Sequence, residues 1–246
     1  MSAGAVLILG ARSDIARACA RRFARAGHPV MLAARGGADT LQADADDLTA
    51  RHGVKASCHD YDTLEINGID SFLDSLDELP AVALCAVGAM GDQAESQRDP
   101  QAAALVIRAN MEGPALTLGA LAERFAARGS GTLIGISSVG GERGRASNYV
   151  YGAAKAGFTA WLSGLRNRLN GTGVRVITVL PGFVATRMTE GMDLSPRLTA
   201  QPEEVAEAIH RALQRGRDVV WVRPIWRLIM AVIRALPEPL FKRTRL

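Results

Sequence analysis

Residues 5–16 read Ala-Val-Leu-Ile-Leu-Gly-Ala-Arg-Ser-Asp-Ile-Ala. Five apolar residues in a row, closed by Gly10, have the character of a strand covered on both faces, and after the turn the pattern becomes helical as far as residue 26. The segment Gly10-Ala11-Arg12-Ser13-Asp14-Ile15-Ala16 thus sets a glycine and a helix N-terminus at the carboxyl end of a strand, with Ser13 or Asp14 placed to cap the helix. Backbone N–H groups at such a turn can receive a pyrophosphate. Gly10, Arg12, Ser13, Asp14 and Ile15 are therefore candidate cofactor contacts.

Outward from this stretch, short apolar runs at 29–34, 54–58, 81–86, 132–137, 174–180 and 219–222 alternate with helical patterns at 14–26, 38–52, 63–79, 100–128, 149–170 and 202–214. Pro202 followed by Glu203 and Glu204 is a helix start, with proline where no N–H is missed and acids at the positive end of the dipole. The succession predicts a single-domain α/β Rossmann fold, a doubly wound, seven-stranded parallel sheet over 1–222. A basic amphipathic helical tail is expected over 223–246. Ligands of open sheets sit beyond the carboxyl ends of the strands, which directs attention to Gly10, Arg35, Asp60, Gly88, Ser138 and Pro181.

Composition narrows the class. The 246 residues are 48% apolar and 22% charged, enough for a full core and too weakly charged for a disordered chain. Cys19, Cys58 and Cys85 form no CxxC pair and sit in apolar runs, so a reducing compartment without disulfides is expected, and no metal site is read. The N-terminal residues lack a basic segment and read as strand, not signal peptide, and no run approaches the ~20 apolar residues of a membrane span. Of the net charge of +4, the tail carries Arg223, Arg227, Arg234, Lys242, Arg243 and Arg245 against Glu238 alone. The body is thus close to neutral, which argues against a nucleic-acid partner. A cytoplasmic location is expected, with membrane association through the tail.

At the second strand end, Ala34 stands where an acid would hold a ribose 2′-hydroxyl, and the adjacent Arg35 suits a 2′-phosphate instead. With Arg12 as a second cation and no acid apparent beside them, NADP(H) is favoured over NAD(H). Asp60 can accept from an adenine amino group, and Ala86 with Gly88 leaves room for adenosine beside the fourth strand.

The most informative constellation lies further on. Tyr151-x-x-x-Lys155 puts both side chains on one helix face, a turn apart, and Ser138 stands 13 residues before the tyrosine at the end of the fifth predicted strand. Asn110 occurs in an Ala-Asn-Met-Glu-Gly helical segment, and Pro181-Gly182-Phe183-Val184-Ala185-Thr186 follows the sixth strand. With these motifs the chain resembles the short-chain dehydrogenase/reductase family over about residues 4–222. The resemblance implies that Asn110, Ser138, Tyr151 and Lys155 form a catalytic tetrad. It further implies that Pro181, Gly182, Val184 and Thr186 border the nicotinamide, and that Tyr151 and Lys155 also contact the cofactor. A homodimer or homotetramer is implied as well, through the helices that carry Asn110 and Tyr151. Two departures stand out, because the family pattern Gly-x-x-x-Gly-x-Gly has Asp14 and Ala16 here in place of its second and third glycines. Asp14 would repel a pyrophosphate unless it points away.

The chemistry requires these residue types. Reducing a ketone builds negative charge on its oxygen, which must receive a proton as hydride arrives. A tyrosine of ordinary pKa near 10 needs nearby cations to act as a base near neutrality, and Lys155 together with the cationic oxidised nicotinamide is expected to lower it. Ser138 would orient the carbonyl oxygen and Asn110 would hold a water linking Lys155 to solvent. The function expected is NADP(H)-dependent interconversion of a ketone and a secondary alcohol. The alternative is a non-catalytic dinucleotide-sensing protein on the same fold.

Residues 187–198, rich in Met and Leu, occupy the place of a substrate loop. Together with Gly-Ala-Arg-Ser-Asp-Ile-Ala, Ala-Val-Gly-Ala-Met-Gly-Asp, Thr-Arg-Met-Thr-Glu-Gly-Met and the tail Trp-Val-Arg-Pro-Ile-Trp-Arg-Leu-Ile-Met, they give a narrower resemblance to the reductases that complete decaprenylphosphoryl-ribose 2-epimerisation. That resemblance implies a small-molecule or lipid-linked carbonyl substrate. The tail is expected either to lie in a membrane interface, with Trp226 and Phe241 at headgroup depth, or to pack on its own domain or a second subunit.

Overall fold

The computed structural model describes residues 4–244. Seven strands form one parallel sheet: β1 (Val6–Leu9), β2 (Val30–Ala34), β3 (Ala56–Asp60), β4 (Val82–Cys85), β5 (Gly131–Ile136), β6 (Val174–Pro181) and β9 (Val219–Val222). Their order is β3-β2-β1-β4-β5-β6-β9, so the sheet winds outward in both directions from the β1/β4 pair. A separate short pair joins β7 (Phe183–Val184) to β8 (Thr199–Ala200) and frames the segment between them. The fold is the doubly wound sheet that the sequence predicts.

Both faces are covered, which explains the unbroken apolar runs. On one side, helix α1 (Asp14–Arg25) and helix α7 (Pro202–Arg215) bring Cys19, Phe23, Val205 and Ile209 onto Val6, Ile8, Leu84 and Ile177. On the other, α5 (Gly113–Arg128) and α6 (Tyr149–Arg168) bring Leu118, Leu121, Phe125, Phe158 and Leu162 onto Leu7, Leu9 and Leu133. Burying large side chains such as these is the main stabilising term, roughly 1.5–3 kcal/mol each. The three cysteines are free thiols.

Several element boundaries differ from expectation. The third strand begins two residues later than the apolar run, at Ala56. Expected helix 38–52 is broken into a turn at Gly37–Thr40 and α2 (Gln42–His52). Expected helix 63–79 shrinks to a 3₁₀ turn, Ile66–Gly68, and α3 (Ile69–Asp74), because the Asp62 carboxylate takes the Leu64 N–H and diverts the chain into a turn first. Expected helix 100–128 is α4 (Pro100–Ile107) and α5 joined by a π turn, Arg108–Glu112. Pro114 has no N–H to give to the carbonyl four residues back, so the helix widens there, and Asn110 lies on that wide turn.

The tail forms helix α8 (Ile225–Ala235) and a last turn, Glu238–Phe241. Arg223 turns the chain out of β9 in a left-handed conformation (φ 57°), unusual for a residue with a Cβ. Its guanidinium fixes the turn by donating to both Glu204 carboxylate oxygens, at 3.1 and 2.8 Å, and to the Pro196 carbonyl at 2.8 Å.

Candidate active site

A cavity of about 320 Å³ opens at the carboxyl edge of the sheet, between the β1 turn, the end of β4 and the segment after β6. Its lining brings together most of the residues that the sequence singles out. Ser13, Asp14 and Ile15 come from the first turn, Ala86 and Gly88 from the fourth strand end, and Asn110 from the π turn. Ser138, Tyr151 and Lys155 face it from β5 and α6, and Pro181, Gly182, Val184 and Thr186 from β6 onward. Gly10, Arg12, Arg35 and Asp60 lie outside this lining, nearer the ends of β1, β2 and β3.

The reactive groups sit on rigid supports. Ser137 donates to the Lys155 carbonyl at 3.0 Å and shares a 2.6 Å hydrogen bond with Thr159, fastening β5 to α6. Ser138, the next residue, accepts the Gly140 N–H at 3.0 Å. Tyr151 and Lys155 project one turn apart from α6 and are almost wholly buried, Lys155 with only 4% of its surface exposed. Lys155 Nζ donates to the Ile136 carbonyl at 3.0 Å and lies 5.8 Å from the centre of the Tyr151 ring. Asn110 Nδ2 donates to the Ala89 and Val106 carbonyls at 2.6 and 2.8 Å, which leaves its buried Oδ1 without a partner.

Burial dominates the electrostatics. The Lys155 ammonium, stripped of water, is pushed down to about 8, against a smaller upward pull from Cys85. The Tyr151 phenol moves upward because burial outweighs two opposing influences, a hydrogen bond with Ser138 and the positive charge of Arg145. This direction is opposite to the lowering expected from Lys155. At neutral pH the phenol is therefore held in its protonated form. Arg145, which sequence reasoning passed over, lies within the Gly-Glu-Arg-Gly-Arg stretch between Ser138 and Tyr151, and that position was its only signal.

The turn at β1 fits a dinucleotide. Gly10 has φ 77°, and a Cβ there would lie 2.9 Å from Val87, so only glycine lets β1 and β4 end this close together. Ser13 caps α1 by accepting the Ala16 N–H at 3.1 Å. A Cβ on Gly88 would sit 2.8 Å from Asn110 Oδ1 and 3.3 Å from Lys155 Nζ, which marks a cradle that a side chain would fill. Asp14 does not face an empty anion site, since it accepts the Arg187 N–H at 2.9 Å and an ion pair from the Arg187 side chain at 3.3 Å. Its charge is compensated by the segment that follows β6.

One reading of the surroundings needs correction. Arg35 is not free of acids, because Asp62 approaches its Nε at 3.8 Å from the turn after β3, a neighbour that linear sequence hides. Asp60 Oδ1 accepts the Gly36 N–H at 2.6 Å, so one carboxylate oxygen fixes the β2 turn. Arg12 donates to the Arg35 carbonyl at 3.2 Å and holds the same turn.

The tail packs on its own domain, one of the two arrangements expected of it. Trp226 is 4% exposed, lines the cavity, donates from Nε1 to the Leu198 carbonyl at 3.1 Å and meets Phe183 edge-on at 5.3 Å. Its indole lies so near Gly182 that a Cβ there would come within 1.9 Å of Nε1. Phe241 lies beneath the Arg143 guanidinium at 3.8 Å. Both rings thus pack on the chain's own domain, Trp226 through apolar contact with β6, β7 and the 187–198 segment and Phe241 through Arg143.

Comparison with known proteins agrees with this geometry. Residues 4–196 match the family described as short chain dehydrogenase. An uncharacterized oxidoreductase of Mycobacterium tuberculosis is 39% identical over 244 residues, covering 98% of this chain and 97% of that protein. Another, from Streptomyces coelicolor, is 38% identical, with 97% and 94% covered. Among solved structures, a short-chain dehydrogenase from Sphingobium yanoikuyae in complex with NADPH superposes with a TM-score of 0.79 at 23% identity, covering 95% of this chain and 97% of that one. One from Burkholderia cenocepacia in complex with NADP gives 0.81 at 20% identity, covering 98% and 97%. A parallel sheet wound about the β1/β4 pair, the Ser138, Tyr151 and Lys155 cluster at its carboxyl edge and relatives matched along nearly the whole chain place this protein in the short-chain dehydrogenase family.

Proposed function

We propose that this chain is an NADP(H)-dependent oxidoreductase that interconverts a ketone and a secondary alcohol at the cavity between β4, β5 and β6. The observation that carries the reading is the convergence of Asn110, Ser138, Tyr151 and Lys155 on that single cavity. NADP(H) is favoured by Arg35 and Arg12 at the β2 turn and by the NADPH and NADP held by structural neighbours. When bound, the nicotinamide supplies or accepts the hydride.

The chain's own residues manage the oxygen. Ser138 and Tyr151, which line the same cavity, both address the carbonyl oxygen, Ser138 orienting it and Tyr151 giving its proton as charge develops. Lys155 sits behind the phenol as the nearby cation, and the free Oδ1 of Asn110 accepts from water that returns a proton toward Lys155. The dinucleotide-sensing alternative drew its support from a repulsive Asp14, and the Arg187 pairing takes that support away.

The substrate side is apolar. Met90, Val139, Phe183, Met188 and Trp226 line it, which suits an apolar or lipid-linked ketone, the lipid-linked keto-sugar being the narrower form of this reading. Helix α8 turns Ile225, Leu228 and Val232 outward, Leu228 being 67% exposed, with exposed Arg227 and Arg234 beside them. Such a face suits peripheral contact with an anionic membrane that presents a lipid-borne substrate, and with it a cytoplasmic enzyme working at that surface. Among the described residues no helix is long and apolar enough to cross a membrane. Exposed Leu105, Ile107 and Leu116 on the elements that flank Asn110 support a homo-oligomer.

Replacing Tyr151 with phenylalanine removes the proton and little else. Turnover of a ketone with NADPH is expected to fall by about 10²-fold or more, while NADPH binding, followed by nicotinamide fluorescence, stays intact. A fully active Tyr151→Phe enzyme would refute the assignment.

A further inference from the structure

Three cationic side chains line the cavity, and two of them are engaged: Arg187 by Asp14 and Lys155 by the Ile136 carbonyl. The third, Arg145, is different. Among the described residues no carboxylate pairs with it, and its buried Nε has no hydrogen-bond partner. Its position is defined by Gly140, where a Cβ would lie 3.2 Å from Arg145 Nη2, 3.2 Å from Ser138 Oγ and 3.5 Å from the Tyr151 ring. The guanidinium tip, the serine hydroxyl and the phenol therefore converge on one spot. Asn148, three residues on, faces the same cavity with a buried Oδ1 that also lacks a partner.

A half-buried guanidinium without a counter-charge is unfavourable unless a ligand completes it, and its forked donors match the paired oxygens of a carboxylate or phosphate. The only acid lining the cavity among the described residues, Asp14, is turned to Arg187. Met90, Val139, Phe183, Met188 and Trp226 give the same cavity an apolar part. We infer that the substrate is an amphiphile whose carbonyl lies close to an anionic oxygen group, carboxylate or phosphate, which Arg145 receives beside Ser138 and Tyr151 while Asn148 Oδ1 accepts a neighbouring hydroxyl. This rests on the ketoreductase reading of the same cavity and adds the substrate's charge.

The test measures binding, so that it does not depend on turnover. Octanoate, octyl phosphate and octanol are titrated into the wild type, Arg145→Gln, Arg145→Lys and Tyr151→Phe by calorimetry. The wild type and Tyr151→Phe are expected to bind one or both anions about tenfold more tightly than octanol, as one charge-assisted hydrogen-bonded contact provides. Arg145→Gln loses that preference while still binding octanol, and Arg145→Lys keeps part of it. A response to octanoate alone or octyl phosphate alone names the group. Equal binding of all three ligands by the wild type would overturn the inference. So would an anion preference that survives in Arg145→Gln, or a pH–rate profile that shifts in that variant with ligand preference unchanged, which would confine Arg145 to acting on Tyr151. Anion preference in an enzyme that reduces no ketone would count against the ketoreductase reading alone.

Discussion

At the scale of single residues, the two side chains most open to misreading in the sequence are Asp14 and Arg35, and both are decided by a partner distant along the chain. Asp14 stands where a glycine is expected, and its carboxylate is accommodated because Arg187, 173 residues later, supplies both a backbone N–H and a guanidinium. The same contact ties the start of α1 to the segment after β7. Arg35 is 71% exposed and shares its charge with Asp62 at 3.8 Å. An exposed pair of this kind contributes little to stability and leaves the guanidinium available to a 2′-phosphate. Arg35→Ala is therefore expected to weaken NADPH binding by about tenfold and to leave NADH binding unchanged, as read by nicotinamide fluorescence titration. Equal losses for the two cofactors would show that Arg35 does not read the 2′ position.

At the scale of elements, the junction between α8 and the loop after β5 matters most. Arg143 Nη1 donates to the carbonyls of Ile233, Arg234 and Leu236 at 2.9, 3.0 and 2.6 Å, so one side chain caps the C-terminal end of α8, whose last carbonyls have few helical N–H partners. Its other nitrogen meets Glu238 at 2.8 Å. Because Trp226 on the same helix walls the cavity, the cap also holds the substrate side together. Arg143→Ala should speed amide exchange across 225–235 by about tenfold or more and leave the sheet's protection unchanged, measured by hydrogen exchange with mass spectrometry. The outward face of α8 can be tested without disturbing Trp226. Leu228→Glu with Val232→Glu is expected to abolish flotation with anionic liposomes at unchanged thermal stability, whereas undiminished flotation would remove the membrane role.

At the scale of the whole molecule, the site is maintained at some expense in stability. Lys155 titrates at about 8 in the fold against an ordinary 10.5, so below pH 8 the folded state holds a buried ammonium that the unfolded chain would solvate. Folding stability therefore rises with pH between those two values, as the folded state gives up the Lys155 proton that the unfolded state still holds, by an amount on the order of 3 kcal/mol in total. Relative to Lys155→Met, the wild type should gain denaturation free energy steadily from pH 8 to 9.5, while below pH 8 the difference stays flat. A difference independent of pH across that window would mean that the ammonium is well solvated in the fold. The same variant should lose ketone turnover, since the residue that burdens the core is the one that serves Tyr151.

The sequence by itself determined the doubly wound sheet and the heart of the site. Period and punctuation are local properties, and each apolar run from Val6–Leu9 to Val219–Val222 became a strand of the one sheet. The Tyr-x-x-x-Lys spacing fixes two side chains on one helix face whatever the surroundings. Only the tertiary structure decided the rest, because those features depend on residues that meet across long stretches of chain. Asp14 is neutralised by Arg187, Arg35 has Asp62 beside it, and Trp226 leaves the solvent for a slot that Gly182 keeps open. The direction in which Tyr151 shifts and the isolation of Arg145 are likewise matters of burial, and burial is a property of the packed molecule that no linear pattern records.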